Sequence, residues 1–232
     1  MGRILKRWSW RLLFIFVYLL FLYQLWIFCH VLYWNNQNPT TSAFMQNQLN
    51  ILQENNPEAV LHQKWVPYKQ ISFDMKRAII AAEDSKFIQH NGFDFDSIHR
   101  ASKKILKEKK LVAGGSTISQ QLAKNLFLSS KKTFWRKSQE AIITLMLENV
   151  MSKRRILEIY LNIIEWGNGV FGIEAAARHY YGIPAASLSA KQATYLASMV
   201  TNPRHYDYNR ESQHLLKKSE IILNRIHSAK IP

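Results

Sequence analysis

Cysteine is almost missing from this chain: Cys29 is the only one in 232 residues. A single cysteine makes no intrachain disulfide, and the eight histidines show no HExxH or related spacing, so no built-in metal site is expected. Acid is missing from the N-terminal quarter: all 16 Asp and Glu residues lie beyond Gln53. Base is missing from Leu12 to Gln63. Alternating strand patterns are scarce, and there is no internal repeat or long low-complexity tract. The Gly-Gly pair of "GGSTISQQLAKN" is not followed by a lysine at Walker spacing, which argues against a nucleotide loop. Ser129 and Lys132 match SxxK, but no KTG or SDN accompanies them, and too little chain remains for a transpeptidase domain.

What is abundant is positive charge. Lys and Arg outnumber Asp and Glu by 31 to 16, a net charge of +15. That balance implies an anionic partner: nucleic acid, acidic lipid or a phosphorylated substrate. The length suits one domain of ordinary size plus an appendage.

The appendage is N-terminal. Arg3, Lys6, Arg7 and Arg11 precede "LLFIFVYLLFLYQLWIFCHVLYW", Leu12 to Trp34, which holds no Asp, Glu, Lys or Arg. A membrane-spanning helix needs about 20 such residues. A signal peptide has a shorter core and a small-residue cleavage site, which is not found here. Trp26, Tyr33 and Trp34 resemble an interfacial aromatic belt. The positive-inside rule then puts residues 1–11 in the cytoplasm and the chain after the span outside it. Residues 35–59 read as a nearly uncharged, Asn/Gln-rich connector with a short helix around Ala43–Gln53, and residues 60–232 as the exported domain. Without the four N-terminal cations the remainder still carries +11 (15 − 4), which favours lipid headgroups or phosphates.

The exported domain reads as all-α. Asp74 is placed to cap a helix from Met75 to about Gln89, ended by Asn91-Gly92. A lysine-rich helix follows at about Asp96–Lys109. Thr117 and Gln120 have capping-box spacing, a long helix runs from about Phe134 to Val150, and Ser152 can cap the next. Gly167, Gly169 and Gly172 break the chain, and two more helices lie beyond Ser189.

Four stretches hold groups fit for chemistry. In "AIIAAEDSKFIQHNGFD", Glu83 lies four residues from both Ile79 and Phe87, on what periodicity draws as one apolar helical face. A carboxylate among apolar groups exchanges protons closer to neutrality, which suits acid/base catalysis; a solvated glutamate or a pair with Lys76 fits the same pattern. In "GGSTISQQLAKN", glycines before a helix start free backbone N–H groups for an anion, and Ser116, Thr117, Gln120, Gln121 and Lys124 add polar contacts; a well-capped helix after a loop explains it nearly as well. In "TFWRKSQEAIITLMLE", Arg136 and Glu140 are one turn apart, as an ordinary ion pair would be. In "KRRILEIYLNIIEW", Ile156, Leu157, Tyr160, Leu161 and Ile164 form a core face, with Glu158 and Asn162 as structural polar members.

Together these stretches resemble the peptidoglycan glycosyltransferase family, and within it the monofunctional biosynthetic transglycosylases of Gram-negative bacteria. The likeness runs over about Val66–Tyr206. It rests on Glu83, Asp84, Phe87, His90, Gly92 and Asp94; on Gly114 to Asn125; on Arg136, Lys137 and Glu140; and on Ile156, Leu157, Glu158, Tyr160, Leu161 and Asn162. Two positions depart from it. Lys132 stands where many relatives carry an arginine, keeping charge but not the bidentate fork, and Gln192 stands where an acid is common.

The resemblance implies a lysozyme-like α-helical fold behind a single-pass anchor in the bacterial inner membrane, with the domain in the periplasm. It implies polymerisation of lipid II by the growing chain, with release of undecaprenyl pyrophosphate. Glu83 is then the general base. Asp84, Phe87, His90, Gly115, Ser116, Thr117, Gln120, Gln121, Lys124, Asn125, Lys132, Arg136 and Lys137 are the expected substrate-binding set. Glu140 is the second catalytic carboxylate, acting through a substrate-bound Mg2+ or Mn2+ or by orienting the basic residues. No organic cofactor is expected. Expected partners are lipid II, the lipid-linked glycan, the bilayer, and cell-wall synthesis or division proteins, but not nucleic acid. Two other readings compete: a lysozyme-like lytic enzyme that cuts glycan, and a membrane-tethered basic binding module.

Overall fold

Hydroxyl side chains start most of the helices. In the computed structural model, which describes residues 2–97, 99, 103, 115–129, 131 and 133–232, with only the backbone for 2–7 and 9, two compact units divide at Asn38/Pro39. The first unit is helix α1, Gly2–Asn36. Its segment Trp10–Asn36 has mean hydropathy 2.4 and is long and apolar enough to cross a membrane. At 1.5 Å per residue those 27 residues span about 40 Å, more than the ~30 Å hydrocarbon layer. His30 donates a ring N–H to the Trp26 carbonyl one turn back, 2.9 Å away, which satisfies a polar group on an apolar helix.

The second unit begins with α2, Ala43–Asn55, capped by Ser42, where a short helix was expected. Strand β1, His62–Gln63, and a 3-10 turn at Tyr68–Gln70 lead to α3, Phe73–Glu83. Then come α4, Ile118–Phe127, α5, Phe134–Val150, and α6, Lys153–Ile163. Strands β2, Glu165–Gly167, and β3, Val170–Phe171, follow, and β3 lies between an antiparallel β2 and a parallel β1. Helices α7, Ile173–Tyr181, α8, Ala190–Met199, α9, Pro203–Tyr208, and α10, Gln213–Arg225, complete the described chain. The all-α expectation therefore holds, with one sheet of strands too short to alternate visibly. The expected helix at Asp96–Lys109 lies mostly outside the described residues.

The predicted caps at Thr117 and Ser152 are present, the first as a full capping box with Gln120. Gln192 makes the same box with Ser189, so an amide fills the place where an acid is common. The start and end of α3 differ from expectation. Ser72, not Asp74, caps it, by accepting from the Met75 N–H at 3.0 Å. The helix ends at Glu83 instead of Gln89. Asp84 leaves helical geometry (φ −159°) because its carboxylate accepts from the Ile118 N–H of α4 and from His90. These tertiary bonds outweigh another helical turn, and Phe87 no longer shares a helix face with Glu83.

Helix α3 buries Met75, Ala78, Ile79 and Ile80 completely, packing against α8, which itself packs on α10. Burial of Met75, Ile79 and Ile80 contributes about 1.5–3 kcal/mol each, and that of the smaller Ala78 less. Helix α4 packs against α2, α5 and α6, so the segment with the Gly-Gly loop becomes a central element. Asn162 ties α6 to the β1 side: its side-chain Oδ1 accepts from the Val66 N–H (2.8 Å) and its side-chain Nδ2 donates to the Val66 carbonyl (2.9 Å). Gly172, at φ +78°, opens α7 where any Cβ would come within 2.6 Å of the Asn162 carbonyl oxygen.

Candidate active site

Glu83 is the last residue of α3 and Asp84 its cap, so the backbone turns between the two acids and sends them to different partners. One Glu83 oxygen accepts from the Gln121 amide of α4 at 2.8 Å. The other, Oε1, is enclosed and has no hydrogen-bond partner among the described residues. Behind Gln121, the hydroxyl of Tyr160 on α6 donates to its amide oxygen at 2.8 Å, which sets the NH2 end toward Glu83. Tyr160 is fully buried; burial first, and then the negative charges of Glu83 and Asp84, raise its pKa well above the ordinary value and keep it a donor.

Asp84 is buried and works inside the protein. It bonds His90 at 2.9 Å and caps the first N–H of α4 at 3.1 Å, favourably placed against the helix dipole. Thr117 donates to the Gly92 carbonyl at 2.6 Å. Gln120 is occupied by the capping box, Asn125 donates to the Gln121 carbonyl, and Phe87 is fully buried. Glu83, Asp84, Gly115, Ser116 and Thr117 line one cleft of about 220 Å3.

The basic set gathers around Glu140 on α5. Arg136 donates to one carboxylate oxygen at 2.6 Å and Lys137 to the other, and Glu140 is 3% exposed. Lys137 also reaches the Ser116 hydroxyl at 3.5 Å, joining this cluster to the cleft. Lys124, three residues after Gln121 on α4, lies in the fields of both Glu140 and Glu83. Burial lowers its pKa; Arg136 and Lys137 push the same way, while Glu140 and Glu83 oppose them. Lys132 falls outside the described residues.

A family model described as Transglycosylase matches residues 49–227. The chain belongs to the transglycosylase family. It is similar to a biosynthetic peptidoglycan transglycosylase of Nitrosospira multiformis, 63% identical over 98% of this chain and 99% of that one. It is also similar to proteins of the same description from Nitrosomonas eutropha, 59% identical over 99% of this chain and 94% of the relative, and Methylobacillus flagellatus, 58% identical over 98% and 100%. The enzyme is thus a glycosyltransferase, which sets the binding-module reading aside.

The site of this transglycosylase also draws on residues that its motifs do not contain. Arg225, at the end of α10, lines the cleft with Glu83. Lys218, seven residues earlier, donates to the Ser198 carbonyl and the Thr201 hydroxyl, both at 3.3 Å; burial lowers its pKa and the charge of Glu83 opposes that. A spacing of seven puts both cations on one helical face, a signal present in the sequence but not tied there to any motif. A divalent cation on Glu140 does not fit this geometry, because both carboxylate oxygens are already engaged by cations. Among the described residues no group of three or more His, Cys, Asp or Glu is arranged to hold a metal.

Proposed function

We propose that this transglycosylase polymerises lipid II into β-1,4-linked glycan, with the growing chain as donor and the next lipid II as acceptor. The observation that carries the reading is the state of Glu83, a cleft-lining residue with one oxygen held by Gln121 and the other without a partner among the described residues. Glu83 takes the proton from the 4-hydroxyl of the acceptor GlcNAc as that oxygen attacks C1 of the donor MurNAc. The bond from C1 to the lipid pyrophosphate breaks, and the α-linkage becomes β by inversion. Charge grows on the leaving pyrophosphate, so fixed cations beside it lower the barrier. Lys124, Arg136, Lys137 and Lys132 are the residues we assign to it, with Glu140 orienting Arg136 and Lys137. Magnesium or manganese, where the reaction uses it, belongs with the substrate's pyrophosphate and is given no ligand from Glu140.

A lipid-borne substrate accounts for the apolar helix α1. We place residues 12–34 in the bacterial inner membrane, residues 1–11 in the cytoplasm, and the second unit, which takes in most of the expected 35–59 connector as well as 60–232, in the periplasm, where cell-wall synthesis or division proteins are available as partners. A bond already activated as a pyrophosphate requires no nucleotide. The test gives purified full-length enzyme labelled lipid II. Growth of glycan chains, lost in Glu83→Gln, is the expected result; degradation of sacculi without growth would instead support the lytic reading.

A further inference from the structure

Outside the cleft lining lies an ion pair that the reaction above does not use. Lys153, the first residue of α6, donates to Glu148 of α5 at 2.7 Å, and only 18% and 6% of the two side chains remain exposed. The same Glu148 oxygen accepts from the Ser119 hydroxyl, in the first turn of α4. The Lys153 ammonium also sits 4.6 Å from the ring centroid of Phe87, in the middle of the loop that follows Glu83. Gly92, near the far end of that loop, lies against the same group: a Cβ there would come within 3.1 Å of Glu148 Cγ and 2.7 Å of Thr144 Cγ2. Its φ of +89° disfavours any other residue as well. One ion pair therefore touches the loop at two points and α4 at a third.

We infer that Glu148 and Lys153 are positioning residues that fix the distance between Glu83 and Gln121. Neither touches the cleft. They act through Phe87 and Gly92 on one side, and through Ser119, two residues from Gln121, on the other. Desolvation offsets most of the attraction in such a pair, so its geometric effect exceeds its effect on stability. The inference rests on Glu83 being the proton acceptor.

The test uses the full chain in detergent with labelled lipid II, at a temperature where circular dichroism shows each variant folded. Glu148→Ala and Lys153→Met should each lower kcat by about tenfold or more, as small misplacements of a catalytic group do. KM should stay within about twofold, because binding groups are untouched. Lys153→Arg, which keeps a cation over Phe87, should restore most of the activity. In the same samples, hydrogen exchange should accelerate in 84–92 and 117–121 but not in 190–199. Wild-type kcat in folded Glu148→Ala would overturn the inference. Ser119→Ala serves as the milder variant should the others fail to fold: a lower kcat supports the clamp, and an unchanged one counts against it. Should Glu83→Gln keep its activity, the base assignment fails on its own, and exchange decides the clamp: unchanged protection of 84–92 in Glu148→Ala refutes it.

Discussion

Glu83 and Glu140 are both glutamates of a helical lobe, yet their surroundings are opposite. Glu140 is saturated by charge: Arg136 and Lys137 each take one oxygen, and the residue is closed to solvent. Glu83 is held by a neutral amide on one oxygen, with the other enclosed and without a partner among the described residues. With both oxygens engaged by cations, Glu140 presents neither of them to a substrate proton. It is a good organiser, because it fixes the direction of the cations. A carboxylate positioned by an amide keeps a lone pair for a substrate proton. The division of labour between the two acids thus follows from their partners, and each prediction below alters one side of it.

The largest effect is expected at Glu83. Glu83→Gln keeps the shape and a contact with Gln121 but removes the proton acceptor. Turnover of lipid II should fall by about 10²–10⁴-fold, the usual contribution of a general base, while thermal unfolding stays close to wild type. Single-turnover glycan synthesis and a melting curve on the same preparation read both quantities. Retained turnover would make the two acids equivalent and end the comparison.

Lys124 links the two acids, so it comes next. Lys124→Met removes a cation that we assign to the leaving group and should cost about 10²-fold in rate. The sign for stability is opposite. Burial lowers the folded-state pKa of Lys124 below its unfolded value. Between those two values the unfolded chain binds more protons, so stability rises as pH rises through that window. At neutral pH the buried ammonium is a burden, and Lys124→Met should raise Tm while lowering activity. The wild-type rate should also decline at lower alkaline pH than an ordinary lysine would give. Lys124→Arg should push that decline upward, since guanidinium stays charged. A variant with lower Tm and an unmoved alkaline limb would show Lys124 to be structural.

Glu140→Gln is expected to do less. Arg136 and Lys137 remain present and charged but lose their common anchor. A loss of about tenfold, equivalent to ~1.4 kcal/mol in the barrier, is expected, chiefly in donor use. A loss as large as that of Glu83→Gln would place Glu140 in the proton transfer itself.

Much of this arrangement can be read from the chain, for physical reasons that can be named. Capping chemistry is local, so Thr117, Ser152 and the bounds of α5 follow from their neighbours. The end of α3 is not local. Ile79, Glu83 and Phe87 have helical spacing, and only a carboxylate reaching Ile118, 34 residues on, stops the helix at Glu83. The same limit hides Tyr160 behind a core pattern and leaves Arg225 without a motif, since the cleft it lines is built by residues far away in sequence. Asn162 was expected to be structural, and its two bonds to Val66 make it so.

The smallest effect tests the support of Glu83. Tyr160→Phe removes the one hydroxyl that donates to the Gln121 oxygen. Phenylalanine fills the same buried space, so packing should change little. The amide loses the contact that fixes its orientation, however, and either end can then face Glu83. With its oxygen turned toward the carboxylate, Gln121 repels it instead of donating to it. A buried acceptor left unpaired costs about 1–3 kcal/mol, and turning the amide relieves part of that at the expense of Glu83. Turnover should therefore drop by about threefold to tenfold, with KM unchanged, because the defect lies behind the acid and not in the binding groups. Replacing Gln121 by Glu in the same background should remove the remaining activity, since no donor is left for Glu83. If Tyr160→Phe turns over like wild type, Gln121 is oriented by its backbone alone, and the neutral support of Glu83 is one residue deep.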